Sequence, residues 1–235
     1  GGSITLTTGS AFTGTSTFNV SNNNITGAKT SPININNVAL NSTNTGIFSG
    51  TISGNTVGLT GAVGSGSDGD GIDVTANGDA EIRVNITNNN VRQWKLLGIS
   101  LIARDGTTPN IDATITGNTV GEPSNTTDSA QAIIMNSGPA GTESGTSCTD
   151  IGGAGALQNS FPGSFTAGIT PLRVRARALT TLRLPGYVGG ATDTTAVMNF
   201  LSPRNNNVST SAQVQASGQF AGGGACNAGA TPLGP

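Results

Sequence analysis

The chain predicts an all-β solenoid of about six stacked coils, on three observations. A six-residue motif recurs as Val20-Ser-Asn-Asn-Asn-Ile25, Ile52-Ser-Gly-Asn-Thr-Val57, Ile86-Thr-Asn-Asn-Asn-Val91 and Ile115-Thr-Gly-Asn-Thr-Val120. The residues leading into it alternate apolar with polar, as Ile82, Val84 and Ile86 do, which is the period of a half-buried strand. Almost no segment carries the 3.6-residue period of a helix. Repetition at this interval is read first, because it dictates the architecture.

The elements follow in order. Residues Gly1–Thr17 are rich in Thr, Ser and Gly, and Ile4, Leu6, Phe12 and Phe18 mark an incomplete first coil and the open end of the stack. After Pro32 a strand runs through Ile33 and Ile35, with Val38 and Leu40 beyond it. Gly46-Ile-Phe48 leads into the second motif, and Gly58–Gly71 reads as a polar loop. Later coils begin at Gly71-Ile-Asp-Val74, at Gly98-Ile-Ser-Leu-Ile102 and at Ala132-Ile-Ile-Met135. A sixth begins at Gly168-Ile169 and continues through Leu172, Val174 and Leu182-Arg-Leu184. Val20, Ile52, Ile86 and Ile115 hold one equivalent position in steps of 32, 34 and 29, and Ile151 follows 36 later in a degraded copy. Such uneven steps fit coils whose loops differ in length.

Each coil therefore carries two alternating strands and a very short third one after an Asn-rich corner. Strands stacked on their counterparts form parallel sheets with a spacing of about 4.8 Å, so six coils span roughly 29 Å. Asn tolerates a left-handed backbone and caps turns, and stacked Asn side chains bond to one another along the axis. Asn23, Asn55, Asn89 and Asn118 are thus expected at one corner. Ser21, Ser53, Thr87 and Thr116, one residue after the repeated apolar position, should form an outward ladder. A coil cannot bury its apolar side alone, so the coils depend on one another and the last needs a cover. Ala191–Leu201 supplies one: a Thr/Asp start, good helix formers and a stop at Pro203 predict a short helix. One strand, Ala212–Ala216, precedes a Gly-rich run. The division is a β-helical stretch over 1–190 and a capping helix with a Gly-rich tail over 191–235.

Composition limits the function. Charged residues are 9% of the chain, with only 10 Lys and Arg and a net charge of −2. That argues against nucleic acid as a partner, since phosphates are bound by clustered cations. No apolar run approaches the roughly 20 residues of a membrane span. No signal peptide is visible at Gly1-Gly2-Ser3, so a secreted chain would be a mature or excised one. Cys148 and Cys226 fit either two free thiols or one disulfide. The disulfide is the preferred reading and implies an oxidising compartment. With 78 residues of separation it is worth roughly 4.5 kcal/mol in the chain-entropy model.

The Ile-Ser-Gly-Asn-Thr-Val and Ile-Thr-Asn-Asn-Asn-Val coils resemble the repeats of right-handed parallel β-helices, the pectin-lyase-like superfamily. The end of the chain is similar to the terminal module of large bacterial surface proteins built from such repeats. The similarity runs from Cys148-Thr-Asp-Ile151 through Leu182-Arg-Leu-Pro-Gly-Tyr-Val-Gly-Gly-Ala-Thr-Asp-Thr194 to Gly222-Gly-Gly-Ala-Cys226. The resemblance implies an extracellular or cell-surface location and an adhesive or structural role, and some members of the family cleave polysaccharides.

Candidate chemistry is sparse. Asp68, Asp70 and Asp73 lie on a Gly-rich turn, where carboxylate oxygens suit Ca²⁺, although the spacing is not that of an EF-hand loop. Asp70-Gly-Ile-Asp73 also resembles a segment of polygalacturonases, which use several Asp residues on a glycosidic bond. The chain has no His, no adjacent Asp pair and no Arg-Ile-Lys element. Without His there is no Ser-His-Asp or Cys-His arrangement. A solvated turn is the plainer reading of the three aspartates. Arg173, Arg175 and Arg177 alternate along one strand and could clamp an acidic sugar or a sulfate; the plainer reading is an outer face paired with nearby acids. Trp94 and Tyr187 could stack on a sugar, with Trp94 better suited to packing beside Leu96-Leu97. The expectation is a non-catalytic structural or adhesive segment that self-associates into fibres or meets carbohydrate on a host surface. A polysaccharide-binding or polysaccharide-cleaving protein on the same scaffold is the alternative.

Overall fold

The computed structural model describes residues 1–9, 11–37, 45–124, 131–139, 141–162, 170–206, 208, 213–227 and 229. The chain is all-β, with three parallel sheets and one short helix near its C-terminal end. The first sheet stacks β1 (Ile4–Thr8), β4 (Ile33–Asn37), β7 (Ile72–Asn77), β10 (Leu97–Arg104), β13 (Gln131–Ser137), β15 (Thr170–Ala176) and β17 (Val214–Ser217) in that order. The second stacks β2 (Thr15–Ser21), β5 (Ile47–Ser53), β8 (Glu81–Thr87), β11 (Asn110–Thr116), β14 (Ser144–Ile151), β16 (Leu179–Arg183) and β18 (Gln219–Ala221). The third holds the short strands β3 (Asn24–Ile25), β6 (Thr56–Val57), β9 (Asn90–Arg92) and β12 (Thr119–Gly121). Through β12 the chain visits the three sheets in rotation, and from β13 on its strands alternate between the two large sheets, an order compatible with a β-helix. Both large sheets have seven strands, one more than the six units counted from the motif. The extra tier is β17 and β18, drawn from a stretch read mainly as tail.

Register follows the repeat. Val20, Ile52, Ile86, Ile115 and Ile151 stack as one buried column in the second sheet. Ile33, Ile72, Ile99, Ile133, Leu172 and Val214 stack as another in the first. Alternate residues of each strand thus share one narrow core, as the period of two requires. Where one tier is large its neighbour is small: Gly50 lies opposite Phe18, and a Cβ on Gly50 would fall 2.1 Å from the Phe18 carbonyl oxygen.

At the Asn-rich corner the side chains form a continuous ladder. The Nδ2 of Asn23 donates to Oδ1 of Asn55 at 2.9 Å, Asn55 to Asn89 at 2.9 Å, and Asn89 to Asn118 at 2.9 Å. Each Oδ1 also accepts the backbone N–H of the Asn before it, at 3.0 Å in all three steps. The left-handed residue is not the ladder Asn itself. It is the one before it: Asn22, Gly54, Asn88 and Gly117, with φ between 57° and 68°. The turn therefore falls one position earlier than expected, which leaves the Asn side chain free to run along the axis. Two more residues continue the ladder, Asn159 and Asn205, after steps of 41 and 46 residues.

The helix α1 spans Thr194–Leu201, inside the stretch read from Ala191. Asp193 caps it by accepting the Ala196 N–H at 2.8 Å. At its far end the Asn205 Nδ2 donates to the Leu201 carbonyl at 2.9 Å, so the helix is tied to the ladder. The strand expected over Ala212–Ala216 is found at Val214–Ser217, and Ala212 lies outside the described residues. Val38, Leu40, Gly168 and Ile169 lie outside them as well.

The tail runs back across the outer face of the second sheet. The Arg183 guanidinium donates to the carbonyls of Gly224 and Ala225. Cys226 forms a disulfide with Cys148 on β14, with Cα atoms 5.5 Å apart. The Asn227 N–H donates to Asp112 at 3.0 Å, and the Asn85 Nδ2 donates to the Gly229 carbonyl at 3.1 Å. Arg183, Cys148 and Asp112 are register partners, so the tail follows one column across three strands and then reaches Asn85, two residues along from Arg83, which continues that column.

Candidate functional site

The outer face of the first sheet brings the sequence-derived candidates into one frame. Side chains at alternate positions stack there in two columns. One reads Asn34, Asp73, Ser100, Ile134, Arg173 and Gln215. The other reads Asn36, Thr75, Ile102, Asn136, Arg175 and Ser217. Asp73 and Arg173 share a column, but two strands lie between theirs. At a strand spacing of about 4.8 Å the two backbones are roughly 14 Å apart. The carboxylates and the arginines are therefore two separate clusters.

The three aspartates diverge. Asp68 is exposed and pairs with Lys29 at 3.3 Å, with both side chains largely in solvent. Asp70 and Asp73 sit half-buried at the entry to β7. Burial, and then the charge of Asp73, push the Asp70 carboxyl up to about 7, against the Leu97 amide and the Ser100 hydroxyl. Burial also raises Asp73, whose Oδ1 accepts the Thr75 hydroxyl at 3.1 Å. Among the described residues no three acidic, Cys or His side chains converge closely enough to hold a metal ion.

The arginines depart from expectation. The ion pairs among the described residues are Lys29–Asp68, Arg83–Glu81, Arg92–Glu122, Arg104–Asp105 and Arg204–Asp150. None involves Arg173, Arg175 or Arg177, so among the described residues the pairing with nearby acids does not occur there. The reason is register. The positions beside Arg173 and Arg175 on the flanking strands are Ile134, Asn136, Gln215 and Ser217, all uncharged. The Arg173 Nε donates instead to Gln215 Oε1 at 2.6 Å. Burial, then the charges of Arg173 and Arg177, lower the Arg175 guanidinium. A cleft of about 330 Å³ lies over Arg173 and Arg175 and is walled by Met198 of α1, Val214 and Gln215.

The large aromatics offer no sugar platform. Trp94 is fully buried, consistent with the packing role. Tyr187 is also buried, its hydroxyl donating to the Gly190 carbonyl at 2.9 Å and its ring edge-on to Phe200. Sequence reading missed Gln215 as the partner of Arg173, because that pairing depends on the length of the chain between β15 and β17. It also missed Asn159 and Asn205. Asn205 opens an Asn-Asn-Asn run like that of the motif, which was the available signal.

Comparison with protein-family models, with curated proteins and with solved structures returns no match. No helix among the described residues is long and apolar enough to cross a membrane. The disulfide is weakly compatible with an extracellular setting.

Proposed function

We propose that this chain is a non-catalytic structural or adhesive segment of a secreted or cell-surface protein. In this reading it is a right-handed parallel β-helix, with a solenoid over 1–190 covered by the helix and Gly-rich tail of 191–235, and its ends associate into fibres. The observation that carries it is the unbroken stacking of parallel strands in register, seven deep in both large sheets. Two features support it further: a skin poor in charge, and a disulfide suited to an oxidising compartment. The edge strands β1 and β2, at the end away from the covering helix, offer backbone donors and acceptors to a neighbour.

Electron microscopy of the purified chain tests the fibre. Filaments with an axial repeat near 34 Å, about seven strand spacings, are expected. A population of single particles at every concentration would remove it. The alternative is a polysaccharide-binding or polysaccharide-cleaving protein. The cleft over Arg173 and Arg175 favours the binding form. Turnover of any polysaccharide that disappears in Asp70→Asn would replace the non-catalytic reading with the cleaving one.

A further inference from the structure

The chain has 10 Lys and Arg in 235 residues, and most have an evident structural task. Lys29, Arg83, Arg92, Arg104 and Arg204 sit on carboxylates, and Arg183 holds the tail. Arg173, Arg175 and Arg177 stand apart from these six. Arg173 and Arg175 stand at alternate positions on one face of β15; Arg177, expected on the same strand, lies exposed just past its end at Ala176, and none of the three has a carboxylate partner among the described residues. Three like charges so close together repel, and the half-buried setting of Arg173 and Arg175 sharpens that cost. An arrangement that is unfavourable when empty becomes favourable once an anion is present.

We infer that the cleft over Arg173 and Arg175 is a binding site for an acidic saccharide, its sulfate or carboxylate groups held by the two guanidinium groups.

The site's shape selects this class. Alternate residues of a strand lie about 6.6 Å apart, so Arg173 and Arg175 meet two anionic groups more readily than one. A guanidinium has five donors in a fixed fork, suited to two oxygens of one sulfate or carboxylate. Only one hydrogen bond holds the Arg173 side chain among the described residues, that from Nε to Gln215, and it fixes the plane of the fork. Gln215 and Ser217 bring an amide and a hydroxyl for sugar hydroxyls, and Met198 gives an apolar wall for the C–H side of a ring. The cleft, about 330 Å³, is much larger than a lone inorganic anion needs. Nucleic acid is a poorer match, because the cations are confined to one short strand and the rest of the surface is close to neutral.

The inference goes beyond the proposed function and does not depend on it: a fibre that binds no saccharide sinks this site alone, and a single particle that binds one sinks the fibre alone. Calorimetric titration of the intact, disulfide-bonded chain tests it, with five probes: a sulfated heparin-type oligosaccharide, an oligogalacturonate, neutral dextran, inorganic sulfate and an oligothymidylate. Binding of one acidic oligosaccharide, with dextran silent, is expected. The oligosaccharide that binds tells sulfate from carboxylate. Arg175→Gln should weaken binding about tenfold or more, on the worth of a hydrogen bond to a charged group. Arg175→Lys, which keeps the charge and loses the fork, should fall between the two. Lys29→Gln, on the exposed pair with Asp68, should bind as the parent does. Thermal melts of each variant separate loss of binding from loss of fold. If the Gln variants melt early, the Lys variant and the salt dependence of the parent decide. Three results would overturn the inference: no acidic oligosaccharide binds; the double variant Arg173→Gln, Arg175→Gln melts and binds like the parent; or inorganic sulfate or the oligothymidylate binds as tightly as the saccharide.

Discussion

Replacing Asn89 by Ala should be among the most damaging single changes available in this chain. The side chain of Asn89 is buried at the middle of the ladder. Its Oδ1 accepts both the N–H and the Nδ2 of Asn55, at 3.0 and 2.9 Å. Its Nδ2 donates to Asn118 Oδ1 and to the Ile52 carbonyl, both at 2.9 Å. Alanine leaves two buried donors on Asn55 without an acceptor and takes one donor from each of two buried oxygens. An unsatisfied buried group costs about 1–3 kcal/mol, so the two orphaned donors alone cost about 2–6 kcal/mol. Asn23, at the half-buried end of the ladder, has a neighbour on one side only, and Asn23→Ala should cost about 1 kcal/mol. Equilibrium denaturation in urea measures both, with the slope checked for constancy. If the two variants lie within about 0.5 kcal/mol of each other, the ladder is not a stack of mutually satisfied bonds and the reasoning fails.

The remaining predictions concern backbone fit, the disulfide and pH. Gly50→Ala should destabilise by about 2 kcal/mol or more, and Phe18→Ala should not rescue it, because the new Cβ meets the Phe18 carbonyl oxygen at 2.1 Å as well as the ring. Cys226→Ala should cost about 2–4.5 kcal/mol in a denaturation curve under non-reducing conditions, and the parent should fall to the same midpoint once reduced. Asp70 sets a pH slope. Its folded carboxyl is raised from 3.8 to about 7, so it binds its proton more tightly folded than unfolded. The stability this contributes is fully present below about pH 4 and is lost as pH rises through about 7. Asp73 is raised in the same direction. Melting temperatures taken from pH 4 to 8 should therefore fall less steeply in Asp70→Asn than in the parent.

How much of this was legible depended on whether the local pattern survived intact. Four ladder positions could be read because the motif keeps its length, and the in-register columns from Val20 to Ile151 follow from it directly. Asn159 could not be placed, since an insertion carrying the 3-10 turn Gly155–Leu157 separates it from Ile151. The tail was illegible for a different reason. It crosses the strands at a steep angle, so its contacts with Asp112 and Asn85 leave no period in the sequence. At the arginine strand, alternation was readable and gave the shared face. The lack of acidic partners was not, because strand neighbours depend on the loop lengths that bring Ile134 and Gln215 alongside Arg173. The split of Asp68 from Asp70 and Asp73 likewise turned on Lys29, 39 residues away in sequence.

In a stack where each layer touches only its neighbours, the outermost layers ordinarily come loose first and independently. Here the backward-running tail acts as a seam sewn over four consecutive layers, from Arg183 through Cys148 and Asp112 to Asn85. While the seam is closed, the last layer cannot peel away without dragging on layers deep in the stack. Opening one sulfur–sulfur bond restores the ordinary fraying end.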